Sequence, residues 1–235
     1  MHQTDSDGGM AMTAIKAVVF DFDGLILDTE TPSYEAFDRV YREHGAELPL
    51  EMFARCVGTS FAAFDPYAYL EEILGKPLER ELIETRYKEI YSAIVQESSI
   101  LPGVRENLAR ARELGLAVGL ASSSSWGWIE PLLTRHGLLD RFDSFQTKDK
   151  VKRIKPDPEL YLASLSELGV HGHEAVSFED SLNGFTAARA AGMRTVVIPN
   201  SVTRHLTFSG ADLQLESMAD LTLDSLLERL DSPQP

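Results

Sequence analysis

The run Ala17-Val18-Val19-Phe20-Asp21-Phe22-Asp23 constrains this chain more than any other segment. Its β-branched and aromatic residues lack polar alternation. Such a run reads as a strand buried on both faces, and strands of that kind belong to parallel sheets covered by helices. Acids stand only at its carboxyl end, and Gly24 follows, where a turn costs little. Segments 116–122, 142–147, 175–180 and 194–199 have the same character. Helical patterns separate them. Val104, Leu108 and Ala111 run to a stop at Gly115, and Ile129, Leu132 and Leu133 to Gly137. Asp157-Pro158 opens a helix with the stripe Tyr161, Leu165 and Leu168, and Phe185, Ala188 and Ala191 precede Gly192. Pro131 requires its helix either to begin near Trp128 or to kink. This alternation predicts an α/β fold with a Rossmann-like parallel sheet core.

Residues 31–99 break the alternation. Thr31-Pro32 reads as a helix start followed by Tyr34, Phe37, Val40 and Tyr41. Further stripes are Tyr67, Leu70, Ile73 and Leu74, then Leu82, Tyr87, Ile90, Tyr91 and Ile94. The expected organisation is a catalytic core of residues 13–30 and 100–235, an all-α domain at 31–99 inserted after the first strand, and a disordered leader at 1–12. A last helix is expected at 222–230 and a frayed end at 232–235.

Lys and Arg number 22 against 37 Asp and Glu, a formal charge of −15. That balance argues against nucleic acid and against an anionic membrane surface, both of which want basic faces. Cys56 stands alone, which excludes an intramolecular disulfide and a cysteine zinc site and fits a reducing, cytoplasmic setting. No apolar run approaches the roughly 20 residues that span a bilayer, and the opening MHQTDSDGGMAMT lacks the pattern of a signal peptide.

Ligands of open parallel sheets bind beyond the carboxyl ends of the strands. There stand Asp21 and Asp23, then Ser122 to Ser125, then Glu179 and Asp180, while Lys155 lies on the connection before the fourth strand. Asp21 and Asp23, two apart on a strand, are expected on one face. Carboxylates so close repel, and a hard divalent cation relieves them; Mg²⁺ suits oxygen ligands and phosphate substrates. Asp180 is expected to complete such a site, and Lys155 to bring positive charge into it.

These segments resemble the motifs of the haloacid dehalogenase superfamily, in its β-phosphoglucomutase-like and sugar-phosphatase branch. Asp21-Phe22-Asp23-Gly24-Leu25-Ile26-Leu27-Asp28-Thr29-Glu30 is similar to the first motif, and Leu120-Ala121-Ser122-Ser123-Ser124 to the second. Lys155-Pro156-Asp157-Pro158 matches the third and Glu179-Asp180-Ser181-Leu182-Asn183-Gly184 the fourth. The resemblance covers residues 15–230.

It implies that Asp21 is a nucleophile forming an aspartyl-phosphate and Asp23 a general acid and base. Ser122, Lys155 and N–H groups near Phe22, Asp23 and Ser123 would cradle the phosphoryl oxygens, with Gly24 and Ser123 at the substrate. Mg²⁺ would be held by Asp21, Asp180 and the Asp23 carbonyl, with Glu179 ligating directly or through water. The inserted helices become a mobile cap with hinges at 28–31 and 100–103. Its loop Gly58 to Phe64, above all Thr59, Ser60 and Phe61, would contact substrate. Trp126 is expected at the pocket rim and Trp128 in the core.

The implied activity is hydrolysis of a small phosphorylated metabolite, and a monomer is the default expectation. The family's mutases carry an arginine where this chain has Phe61 and a histidine where it has Ser33, which favours a phosphatase over a phosphosugar mutase. Arg39 or Arg55 could still reach inward. Asp23 separates the chain from the dehalogenases, and its length and insertion separate it from phosphorylation-dependent receivers. A silent phosphoester-binding protein is the remaining alternative. The basic stretch Lys148 to Lys155 is either a solvated loop or a guide for anionic substrates.

Overall fold

In the computed structural model, residues 15–231 are described. The predicted leader at 1–12 and frayed end at 232–235 lie outside them. Five buried strands form where the sequence placed them: β1 Ala17–Phe20, β2 Ala117–Ala121, β3 Ser144–Gln146, β4 Ala175–Glu179 and β5 Arg194–Val197. A two-residue edge strand, β6 Leu213–Gln214, was not anticipated. The sheet is parallel throughout, in the order β3-β2-β1-β4-β5-β6. β1 therefore lies centrally, with β2 and β4 on its two sides.

The pleat sorts the strand residues between two apolar layers. Val18, Phe20, Val118, Leu120, Val176 and Phe178 face α5 Val104–Glu113, α6 Trp126–Arg135 and α9 Leu223–Asp231. The rings of Phe20 and Phe178 stack at 4.7 Å within this layer. Ala17, Val19, Ala121 and Ala175 face α7 Glu159–Leu168 and α8 Leu182–Ala190. Small side chains on this second side let α8 approach closely.

Between β1 and β2 the chain forms α1 Glu30–Glu43, α2 Leu50–Phe53, α3 Pro66–Leu74 and α4 Arg80–Val95. Asp65 caps α3 by accepting from the N–H groups of Tyr67 and Ala68, with Pro66 in its first turn. These helices enclose their own apolar cluster around Phe37, Val40, Tyr41, Phe53 and Leu70, which Val202 of the core also enters. Ile73 and Leu82, read as core-facing, are instead exposed.

One local expectation is narrowed to the second of its alternatives and another is corrected. The α6 helix begins at Trp126, so Pro131 lies beyond its first turn, and the missing N–H leaves the Gly127 carbonyl without its helical donor. β1 ends at Phe20, with the Asp21 N–H still donating to the Phe178 carbonyl of β4 at 3.1 Å, so Asp21 closes the strand and Asp23 stands beyond it rather than with Asp21 on one strand face. The backbone then turns through Gly24, at φ +76°, and the Gly24 N–H donates to the Leu27 carbonyl at 2.8 Å. Among the described residues no helix is long and apolar enough to cross a membrane.

Candidate active site

The two aspartates after β1 face different partners. Asp21 is buried, and its Oδ1 lies 2.8 Å from Lys155 Nζ. The same ammonium lies 2.6 Å from Glu179 Oε1. Tyr161, on α7, donates its hydroxyl to that Glu179 oxygen from below, and its ring lies 5.1 Å from the lysine nitrogen. Burial works against the charge on Lys155, but Asp21 and Glu179 outweigh it and hold the ammonium above its ordinary value.

Asp23 is held on the other side. Its Oδ2 accepts from Ser124 Oγ at 2.7 Å and Ser122 Oγ at 3.3 Å. Its Oδ1 accepts from Trp128 Nε1 at 2.9 Å and Thr29 Oγ1 at 3.0 Å. Four donors fix this carboxyl without a formal counter-charge.

Asp180 follows β4. Asn200 donates to its Oδ2 at 2.6 Å, and Thr203 donates to its backbone carbonyl at 2.7 Å. Its Oδ1 is buried and has no hydrogen-bond partner. Burial raises this carboxyl well above the carboxylate range, as do the Asp21 and Glu179 charges. Asp21, Glu179 and Asp180 each offer an oxygen within 4.8 Å of the others. Three buried acids against one lysine, with an orphaned oxygen among them, fit a hard divalent cation. The Asp23 carboxylate is not part of this cluster.

Backbone economy at α8 shapes the site. Ser181 caps the helix by accepting from the Gly184 N–H at 3.0 Å. A Cβ at Gly184 would overlap the Glu179 carboxylate, and one at Gly24 would overlap Asp180 Oδ2 and Asn200.

A cavity of about 410 Å³ opens over both aspartates. Its core wall contains Ser122, Ser123, Ser124, Ser125, Trp128 and Lys148, and the helical insertion supplies Glu30, Ser33, Phe53, Cys56, Tyr91 and the loop Gly58 to Phe61. Burial, then the Asp23 and Asp21 charges, push the Glu30 carboxyl up to about 8. Polar contacts seat that loop on the core. Ser123 Oγ donates to the Gly58 carbonyl at 2.9 Å, Asn183 Nδ2 to the Val57 carbonyl at 2.8 Å, and Thr59 Oγ1 to the Lys155 carbonyl.

The structure thus brings together Asp21, Asp23, Ser122, Ser123, Lys155, Glu179 and Asp180, with Thr59, Ser60 and Phe61 facing them across the cavity. Gly24 is outside the cavity wall and borders a second cavity that Asn200 also lines. Arg39 and Arg55 are exposed and do not line the cavity. Trp128 packs partly buried against the main apolar layer as expected but also reaches the cavity. Trp126, expected at the rim, is exposed and packs against Phe145 outside it, as residues two apart on a helix must diverge. Tyr161, Asn183 and Asn200 were missed. Tyr161 had registered only as a stripe residue, and only its depth beneath Glu179 reveals its hydroxyl.

Comparison with known proteins agrees with this architecture. Residues 18–198 match the family of haloacid dehalogenase-like hydrolases. "Putative phosphatase YhcW" of Bacillus subtilis is 46% identical over 218 residues, covering 93% of this chain and 99% of the relative. Hexitol phosphatase B of Escherichia coli is 34% identical over 219 residues, covering 91% and 97%. A solved structure of CbbY from Rhodobacter sphaeroides in complex with xylulose-1,5-bisphosphate is 31% identical with a TM-score of 0.69, covering 88% of this chain and 96% of that one. The chain belongs to the haloacid dehalogenase-like hydrolases.

Proposed function

We propose that the protein is a Mg²⁺-dependent phosphatase that hydrolyses a small phosphorylated metabolite of the sugar-phosphate kind, as a cytoplasmic monomer, through an aspartyl-phosphate on Asp21. The observation that carries this reading is the division of labour between the two aspartates. Asp21 sits among buried charges beside Lys155, and Asp23 is held at the cavity by hydroxyl and indole donors.

An Asp21 carboxylate oxygen attacks phosphorus as the bond to the leaving oxygen breaks, and Asp23 gives that oxygen its proton. Asp23 then takes a proton from the water that attacks the phosphorus of the aspartyl-phosphate. Inorganic phosphate leaves and the Asp21 carboxylate is restored. Lys155 and Ser122 balance charge on the phosphoryl oxygens. Asp21, Asp180 and the Asp23 carbonyl would hold Mg²⁺, with Glu179 direct or through water; the ion supplies neutralising charge for an incoming phosphate. Residues 31–99 act as a cap that excludes bulk water, hinged at 28–31 and 100–103.

The family name and the names of the relatives support the reaction class. Phosphate release from an aryl phosphate with Mg²⁺ tests it, with Asp21→Asn expected to lose about a thousandfold or more in kcat. No release from any phosphoester would end the reading. Efficient conversion of β-glucose 1-phosphate to glucose 6-phosphate would favour a mutase.

A further inference from the structure

On the part of the cavity wall that the insertion supplies, two polar side chains are left without partners. Glu30, in the first turn of α1, and Tyr91, in the last turns of α4, both line the cavity and are half-buried. Among the described residues neither the Glu30 carboxyl nor the Tyr91 hydroxyl makes a hydrogen bond or an ion pair. Their neighbours are satisfied internally: Ser33 bonds the Tyr87 hydroxyl at 2.9 Å, and Trp128 donates to Asp23. An acceptor and a donor are thus held open in the cavity wall, with Glu30 packed over Gly24 beside Asp180. A half-buried carboxyl without a donor costs free energy until a ligand supplies one.

The surroundings narrow the ligand. Phe61 flanks the opening, and the Tyr91 ring lies 5.6 Å from that of Trp128. Aromatic faces suit the C–H edges of a carbon chain or sugar ring. The part of the wall supplied by the insertion contains no cation, and the lysine of the cavity, Lys148, is exposed on the opposite, core side. A sugar hydroxyl both gives and takes a hydrogen bond at this pair; a second phosphate or carboxylate meets no cation there and stands near the Asp23 and Asp21 charges.

We infer that Glu30 and Tyr91 form a hydroxyl-reading subsite that selects an uncharged polyhydroxylated leaving group and rejects one bearing a second anion. This deepens the phosphatase reading and rests on it. Phe61 and the Tyr91–Trp128 pair bound the carbon skeleton, and Glu30 fixes its polar edge.

The test compares kcat/KM for a hexitol phosphate, an aryl phosphate and a sugar bisphosphate, with Mg²⁺, in the wild type, Glu30→Ala, Glu30→Gln and Tyr91→Phe. The wild type should prefer the hexitol phosphate to the bisphosphate. Glu30→Ala should lower the hexitol-to-aryl ratio by about ten- to hundredfold, and Tyr91→Phe by about tenfold. Glu30→Gln, which still accepts, should restore most of that ratio. Each ratio is taken within one variant, so a loss of folded protein cancels.

A wild type that turns over the bisphosphate as well as the hexitol phosphate overturns the inference. So do hexitol-to-aryl ratios unmoved in both Glu30→Ala and Tyr91→Phe. A shift in Mg²⁺ half-activation at an unmoved ratio assigns Glu30 to the cation site instead. Failure of the wild type on all three phosphoesters overturns the phosphatase reading itself, which separates the two failures.

Discussion

Asn200 donates to Oδ2 of Asp180 at 2.6 Å and so leaves Oδ1 of the same carboxyl as the unpartnered atom of the acid cluster. The asparagine orients a ligand without adding charge. Asn200→Ala is expected to raise the Mg²⁺ concentration for half-maximal activity by about tenfold, in the range found when outer-shell partners are lost. Titration of aryl phosphate hydrolysis against Mg²⁺ measures this, and an unchanged midpoint would remove the role.

Asp180 is raised by burial, then by Asp21 and Glu179, and Asp21 is raised mainly by burial. An acid raised in the folded state binds more protons there than in the unfolded chain, between its ordinary and its folded pKa. Stability of the metal-free protein therefore falls as pH rises through that window. A bound cation displaces those protons. The rise in melting temperature caused by Mg²⁺ should accordingly be larger near about pH 8 than near about pH 5.5. Paired melts with Mg²⁺ and with chelator at each pH check the sign.

Lys155 is the buried cation between Asp21 and Glu179. Lys155→Met leaves both carboxylates uncompensated and should cost about 3–5 kcal/mol in chelator at neutral pH. The loss should shrink as pH falls and the acids protonate. Urea denaturation across pH reads both effects, and a pH-independent loss would point to packing alone.

Gly58 adopts φ +74°, and a Cβ there would overlap the Ser181 side chain. Gly45 has φ +73° with open space around it. Both alanine variants bear the same backbone strain, and only Gly58→Ala should push the loop off the core. A fall in kcat/KM of about tenfold or more is expected for Gly58→Ala and none for Gly45→Ala. Equal behaviour of the pair would show that the seating of this loop does not matter.

Lys150 and Lys152 are exposed and outside the cavity wall. If they guide anions, the double change to glutamine lowers kcat/KM on the order of threefold at low ionic strength and little at high salt. Equal losses at both salt concentrations would leave them as solvated loop residues.

The core strands were legible because burial on both faces writes an unbroken apolar run. β6 was not, because two residues at a sheet edge carry no period. The acids and the serine run were legible because they stand where strands end, and Lys155 because it lies on the connection that leads back to the site. The core packing of Trp128 was legible, but its reach to Asp23 and Tyr91 was not, because an apolar ring on a helix does not reveal where its N–H points. Asn200 and Tyr161 lay hidden because their partners, Asp180 and Glu179, are brought to them only by the fold. The open pair Glu30 and Tyr91 could not be read either, since they stand 61 positions apart in the chain.

The overlap that any side chain at position 184 would make with Glu179 has a consequence for how such a protein can diverge. Most of the cavity's outer lining comes from side chains of the insertion, where one residue can replace another. Position 184 has no smaller residue to fall back on, so a scan of all substitutions should find it intolerant while Phe61 and Ser33 accept many. New substrates can be acquired through the lining, provided one helix goes on presenting bare backbone to a buried acid.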